Sequence, residues 1–154
     1  VESPSRRALV AELDRFDRLL EVGCGDRLGV ARNLADRGRD VIAIDVEVDG
    51  SGDEDPRVDG SLRVRRGDVV ALADAADPSS ALAIGNEDAA GVDAVYARRL
   101  PAELQRPALE LATRLDAACL FTTLGFEEPV VPVRRRSIPG TTLYVARAPG
   151  DSFP

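Results

Sequence analysis

Histidine, lysine, methionine and tryptophan do not occur among the 154 residues, and cysteine occurs only as Cys24 and Cys119. Without histidine, no imidazole serves as a base or as a metal ligand. Two thiols cannot form a disulfide framework or a four-cysteine zinc centre, so no metal is expected. Nor do the two cysteines fall on strands that should be neighbours, so no disulfide between them is expected. No apolar run approaches the roughly 18 residues of a membrane span. The first residues carry no apolar stretch of the kind a secretory leader needs. These absences lead to the expectation of a cytoplasmic chain without a membrane partner.

All 20 basic residues are arginines; they face 27 acidic residues, for a net charge of −7. Asp outnumbers Glu by 17 to 10, and Ala appears 22 times. Two origins fit this balance. One is a high-GC coding bias in an ordinary acidic bacterial protein. The other, favoured here, is a halophilic archaeal cytosol, where compact aspartates keep a surface hydrated. In molar salt the Debye length falls to roughly 3 Å, so a net −7 costs little self-repulsion. Such a surface is a poor global match to nucleic acid or an anionic membrane. Net charge therefore does not indicate nucleic acid, but the short arginine runs at 98–99 and 134–136 leave it open.

A length of 154 fits one domain over residues 1–154. No interdomain linker or internal repeat is visible. Residues 4–14 read as a helix capped by Ser3 with Pro4 in its first turn. A strand from Arg18 runs into a glycine turn ending at Gly25. A helix over 28–37 stops at Gly38. Val41–Asp45 is a continuous apolar strand of the kind buried on both faces of a parallel sheet. Residues 47–61 read as a solvated acidic loop, and 62–66 as a strand. A short helix and an irregular connection are expected over 69–91, then strands at 92–96 and 117–123. Between those two lies a helix over 101–115, with Leu104, Ala108, Leu111 and Leu115 on its inner face. Segments 130–135 and 141–147 are expected to pair as an antiparallel hairpin. Alternating strands and helices predict an α/β fold with a doubly wound, mostly parallel sheet and right-handed crossovers.

Ligands of such sheets bind beyond the carboxyl ends of the strands. Four acidic or glycine features fall there. Gly23 and Gly25 sit where the first strand turns into a helix, and glycine allows positive φ and close approach of a ligand. Asp45 ends the second strand, 20 residues after Gly25, where a carboxylate can accept from ribose hydroxyls. Asp68 ends the next strand after a glycine, beside the expected adenine position. The plainer readings are a tight turn for Gly23 and Gly25, a cap for Asp45, and for Asp68 an ordinary strand-end acid of an aspartate-rich chain. A dinucleotide fingerprint would need glycine at position 28, which is Leu28. An acidic residue two places before a G-x-G turn is instead the pattern for S-adenosylmethionine, and Glu21-Val-Gly-Cys-Gly25 has it. Beyond the fourth strand, Arg99, Pro101 and Glu103 are the candidates for facing a substrate, against the alternative of a solvated arginine pair and an ordinary helix start. Cys24 reads as a small turn filler, and Tyr96 as a hydrogen-bonding core residue.

These motifs resemble the S-adenosylmethionine-dependent methyltransferases and, more closely, uncharacterised protein family 0146, small archaeal proteins with that Rossmann-like fold. The resemblance rests on Glu21–Gly25, Val30-Ala31, Asp45, Tyr96–Gln105, Leu124-Gly125 with Glu127, and Gly140-Thr141 with Tyr144. It covers about residues 13–147. It implies S-adenosylmethionine as cofactor, held by Glu21, Gly23, Gly25, Asp45 and Asp68, with Arg99, Pro101 and Glu103 toward the substrate. It implies no established reaction. The chain departs from the general pattern at Arg27, often a third glycine, and lacks an Asn-Pro-Pro-Tyr-type motif after the fourth strand. No catalytic residue, substrate or oligomeric state can be read from the sequence.

Overall fold

A computed structural model describes residues 3–24, 27–46, 57–59, 62–82, 91–125 and 127–148. Helix α1 (Pro4–Leu13) begins where Ser3 Oγ accepts from the Arg6 N–H at 3.2 Å, and it buries Leu9, Val10 and Leu13. Strand β1 (Arg18–Val22) leads to α2 (Gly29–Asp36), which buries Val30, Ala31 and Leu34. Gly38, at φ +91°, ends that turn of chain and feeds β2 (Asp40–Asp45). Strands β3 (Arg57–Asp59) and β4 (Leu62–Arg66) follow, then the short helices α3 (Val69–Asp74) and α4 (Pro78–Leu82). Strand β5 (Ala94–Ala97), helix α5 (Ala102–Arg114), β6 (Ala118–Phe121), β7 (Arg134–Ile138) and β8 (Thr141–Arg147) complete the order.

The eight strands form one sheet in the order β3-β4-β2-β1-β5-β6-β8-β7. Strands β4, β2, β1, β5 and β6 run parallel. Strand β8 runs against both β6 and β7, so β7 has the same sense as β6. Each central strand alternates its side chains between two cores. Leu19, Val41, Ala43, Ala94 and Leu120 meet α1 and α2 on one face. Leu20, Ile42, Val95, Cys119 and Phe121 meet α3, α4 and α5 on the other. Two helical layers around a mostly parallel sheet are the expected doubly wound architecture.

Four local expectations need correction. Residues 57–59, expected in a loop, pair antiparallel with β4 and use the backbone groups of its outer edge; the rest of that loop lies outside the described residues. The 69–91 stretch holds two short helices, with 83–90 outside the described residues. The first hairpin strand starts at Arg134 rather than 130, because Pro129 and Pro132 supply no N–H to a ladder. Helix α5 turns Gln105, Ala108, Leu111 and Ala112 inward, with Leu104 and Leu115 at the margin of the core. It continues through Pro107 at the loss of one internal hydrogen bond.

Register places the C-terminal hairpin. Phe121 near the end of β6 and Arg135 near the start of β7 both pair with Tyr144 of β8. Strand β7 therefore extends beyond the carboxyl end of β6. Its tip touches the start of α1: a Cβ on Gly140, which has φ +87°, would lie 3.1 Å from the Ser5 backbone nitrogen. Only glycine fits that approach.

Candidate functional site

From β1 the chain lays β2 and β4 on one side and β5 and β6 on the other. The winding reverses between β1 and β5, the position where open sheets of this kind form their ligand crevice. The glycine turn opens there. Gly23 has φ +74°, and a Cβ added to it would meet nothing within 4 Å. Glycine is thus required by backbone conformation, while the space above it is open. The turn is tied to β2, because the Gly23 and Cys24 N–H groups both donate to the Ile44 carbonyl, at 2.9 and 3.1 Å. Arg27 projects outward from the turn, and Leu28 caps α2 without a side-chain bond. Gly25 lies outside the described residues.

Glu21 and Tyr96 are register partners in β1 and β5. Their side chains point to the α1/α2 face, where they are 2% and 1% exposed. Tyr96 Oη donates to Glu21 Oε1 at 2.8 Å. Burial pushes the Glu21 carboxyl up to about 7, although the tyrosine bond and the nearby Arg98 charge pull the other way. Tyr96 is held well above its ordinary value by burial and by Glu21. It is a proton donor, in accord with the hydrogen-bonding role expected from sequence. The Cys24 thiol is buried and pushed up to about 12 by that burial and by the charges of Glu21 and Asp45, which suits the turn-filling role expected of it.

Asp45 closes β2 in a partly buried position. Its carbonyl accepts from the Gly67 N–H at 3.1 Å. A Cβ at residue 67 would sit 3.1 Å from Ile44 Cβ, so the ends of β2 and β4 lie close together. Asp68 is exposed, and its Oδ1 caps α3 by accepting from the Val70 N–H at 2.9 Å. The second oxygen has no partner among the described residues. The residues beside these acids were not singled out from the sequence. Val46 is 54% and Val70 45% exposed, both uncommonly open for valine. Two exposed apolar side chains next to two strand-end carboxylates were the signal.

Beyond β5, Arg99 adopts φ +56°, a conformation that non-glycine residues seldom take. Its N–H donates to Thr122 Oγ1 at 2.9 Å, and the Leu100 N–H donates to the Thr122 carbonyl at 2.8 Å. Gln105 is fully buried. It donates to the Leu100 carbonyl at 3.5 Å and accepts from the Val130 N–H at 2.7 Å. The loops after β5 and β6 are thereby joined through α5. Arg99 and Glu103 point into solvent, Arg98 and Pro101 are partly buried, and Pro101 is the α5 N-cap. Thr122 and Gln105 were missed as site residues; an amide among the apolar positions of a helix was the available sign. The arginine run on β7 lies elsewhere, on the sheet edge. Arg135 pairs with Glu128 at 2.8 Å and Arg136 with Glu12 at 3.0 Å.

The fold has counterparts among solved structures. An RNA methyltransferase from Salinibacter ruber in complex with S-adenosyl-L-homocysteine superposes with TM-score 0.56 at 19% identity, covering 99% of this chain and 96% of that one. A TehB-like SAM-dependent methyltransferase from Corynebacterium glutamicum gives TM-score 0.53 at 17% identity, covering 95% and 86%. At these identities the likeness is one of fold. In sequence, a protein of Halobacterium salinarum is 41% identical over 140 residues, which is 90% of this chain and 94% of that relative. The model of one family matches residues 6–148, and the chain belongs to that family, the Uncharacterised protein family (UPF0146).

Proposed function

We propose that the chain binds S-adenosylmethionine across the carboxyl ends of β1, β2 and β4 and transfers its methyl group to a substrate lying beside Arg99. The observation that carries the reading is the Gly23 turn, left-handed, open above and flanked by the strand-end carboxylates Asp45 and Asp68. The residues present suit the ligand: it needs ribose acceptors and an apolar bed for its base, and it brings no phosphate. Asp45 accepts from the ribose hydroxyls. Val46 and Val70 offer apolar surface to the base, with the free oxygen of Asp68 at its edge. Gly23 lets the ligand lie against the backbone. The bound sulfonium supplies an activated methyl group.

The chain's own part is alignment. Thr122 and Gln105 fix the loop that carries Arg99, and a fixed line of nucleophile, methyl and leaving sulfur supplies much of the rate without an imidazole. Tyr96 and Cys24 keep their protons at neutral pH. That same observation favours, as second reading, a binding module on this fold that performs no transfer.

Calorimetry and thermal shift in molar KCl separate these from a nicotinamide dinucleotide site. Heat and a raised midpoint are expected with S-adenosylmethionine and not with NAD. Asp45→Ala is expected to weaken the S-adenosylmethionine complex several-fold or more. A flat response of the wild-type chain to S-adenosylmethionine removes the proposal.

A further inference from the structure

Arg6 stands in the first half of α1, and α1 begins at the same edge of the sheet as the glycine turn, against the hairpin tip. Its guanidinium lies on Gly29, the first residue of α2. A Cβ there would come within 2.8 Å of both Cζ and Nη1 and 3.2 Å of Nε. A point that close to three bonded atoms lies above the guanidinium plane. The plane therefore rests on Gly29, and the N–H edges face elsewhere. Nε is buried and has no hydrogen-bond partner among the described residues. Among the described residues the Arg6 side chain has no ion pair, whereas Arg37, Arg39, Arg135, Arg136 and Arg147 all have one.

A buried donor without an acceptor is uncommon and calls for an explanation. Here glycine at 29 makes room for a guanidinium that no group among the described residues then uses. The same face of the sheet carries the opposite kind of group, Glu21, in the strand leading into the turn. An acid and an unpaired guanidinium on one face, on either side of a glycine turn, match a zwitterion. Resting on the cofactor reading above, we infer that Arg6 anchors the carboxylate of the ligand's amino-acid end, with Glu21 toward its ammonium. Planar, two-pronged recognition of a carboxylate is what arginine does and lysine does not.

The test compares two probes on the whole chain in molar KCl by calorimetry. S-adenosylhomocysteine carries the amino-acid end; 5′-methylthioadenosine lacks it and reads the nucleoside part alone. Arg6→Gln is expected to weaken S-adenosylhomocysteine by about ten- to hundred-fold, the usual range for a lost charge-assisted bond. It should leave methylthioadenosine within about two-fold, which also shows that the variant is folded. Gly29→Ala keeps Arg6 but displaces its movable tip, and it should weaken S-adenosylhomocysteine in the same selective way while adding helix propensity. Unchanged S-adenosylhomocysteine affinity in Arg6→Gln, or equal loss for both probes, overturns the assignment of Arg6 alone. A wild-type chain that binds methylthioadenosine as tightly as S-adenosylhomocysteine does the same. Failure of the wild-type chain to bind either probe overturns the cofactor reading and this inference together.

Discussion

The two ends of the parallel strands use charge in opposite ways. At the amino edge arginines meet acids. Asp14 accepts from Arg37 and Arg39 at 3.1 Å each, Arg39 reaches Asp17 at 2.9 Å, and Arg147 reaches Asp116 at 2.8 Å. Asp93 accepts the Arg18 N–H at 3.1 Å where β1 begins. At the carboxyl edge Arg6, Arg27 and Arg99 have no ion pair among the described residues, and the buried acid Glu21 is bonded to a tyrosine and feels the charge of Arg98. Ion pairs finish the starts of the parallel strands, whereas at their carboxyl ends the pair seen among the described residues, Arg135 with Glu128, belongs to the outer hairpin, and the buried acid Glu21 is kept out of water.

The two edges should therefore respond differently to pH. In the unfolded chain Glu21 ionises near 4.5, whereas in the folded chain it keeps its proton up to about 7. The folded state holds the extra proton between those values. Its contribution is complete below 4.5, falls as pH rises to about 7 and is lost above, by on the order of 3 kcal/mol. Glu21→Gln should flatten this slope in urea unfolding followed across pH; a slope that persists would locate its origin elsewhere. Asp14 has the reverse sign. The hydrogen bond from Arg39 lowers its pKa, so its contribution is present above its ordinary value of 3.8 and disappears as pH falls through the folded value.

A smaller effect separates the loops. Thr122→Val leaves the Arg99 N–H without its acceptor and is expected to cost about 1–2 kcal/mol. It should also weaken binding at the substrate side while S-adenosylmethionine affinity stays unchanged. The smallest effects belong to the amino edge. Asp17→Asn and Asp40→Asn should each change stability by about 0.5 kcal/mol or less, and by nothing measurable in molar KCl, because these pairs are exposed and screened. A loss of several kcal/mol that survives molar salt would erase the contrast between the edges.

Much of this was legible in the chain. Apolar runs ending in glycine or aspartate marked β1 and β2, because a strand buried on both faces permits little else, and the alternating stretch Leu62–Arg66 before Gly67-Asp68 marked β4. The same runs placed Gly23, Asp45 and Asp68 at one edge. The Glu21–Tyr96 bond was not legible, since it depends on the register of strands 75 residues apart in sequence. Nor was the left-handed backbone at Arg99, which a threonine from the loop after β6 holds in place. Asp68 shows the middle case: its position was foreseen, but half of its carboxylate is used as a helix cap. Arg6 drew no attention because a surface helix of alternating arginines and apolar residues reads as ordinary solvation.

The placement of β8 between β6 and β7 bears on how the protein is made. A ribosome delivers β7 before β8, yet β7 reaches the sheet only through β8. Until Arg147 has emerged, β6 presents an open edge, β7 has nothing to pair with, and the start of α1 lacks the hairpin tip that supports it. The nascent chain thus passes through an interval in which β6 and β7 both have unpaired edges, and edge-to-edge association then competes with folding.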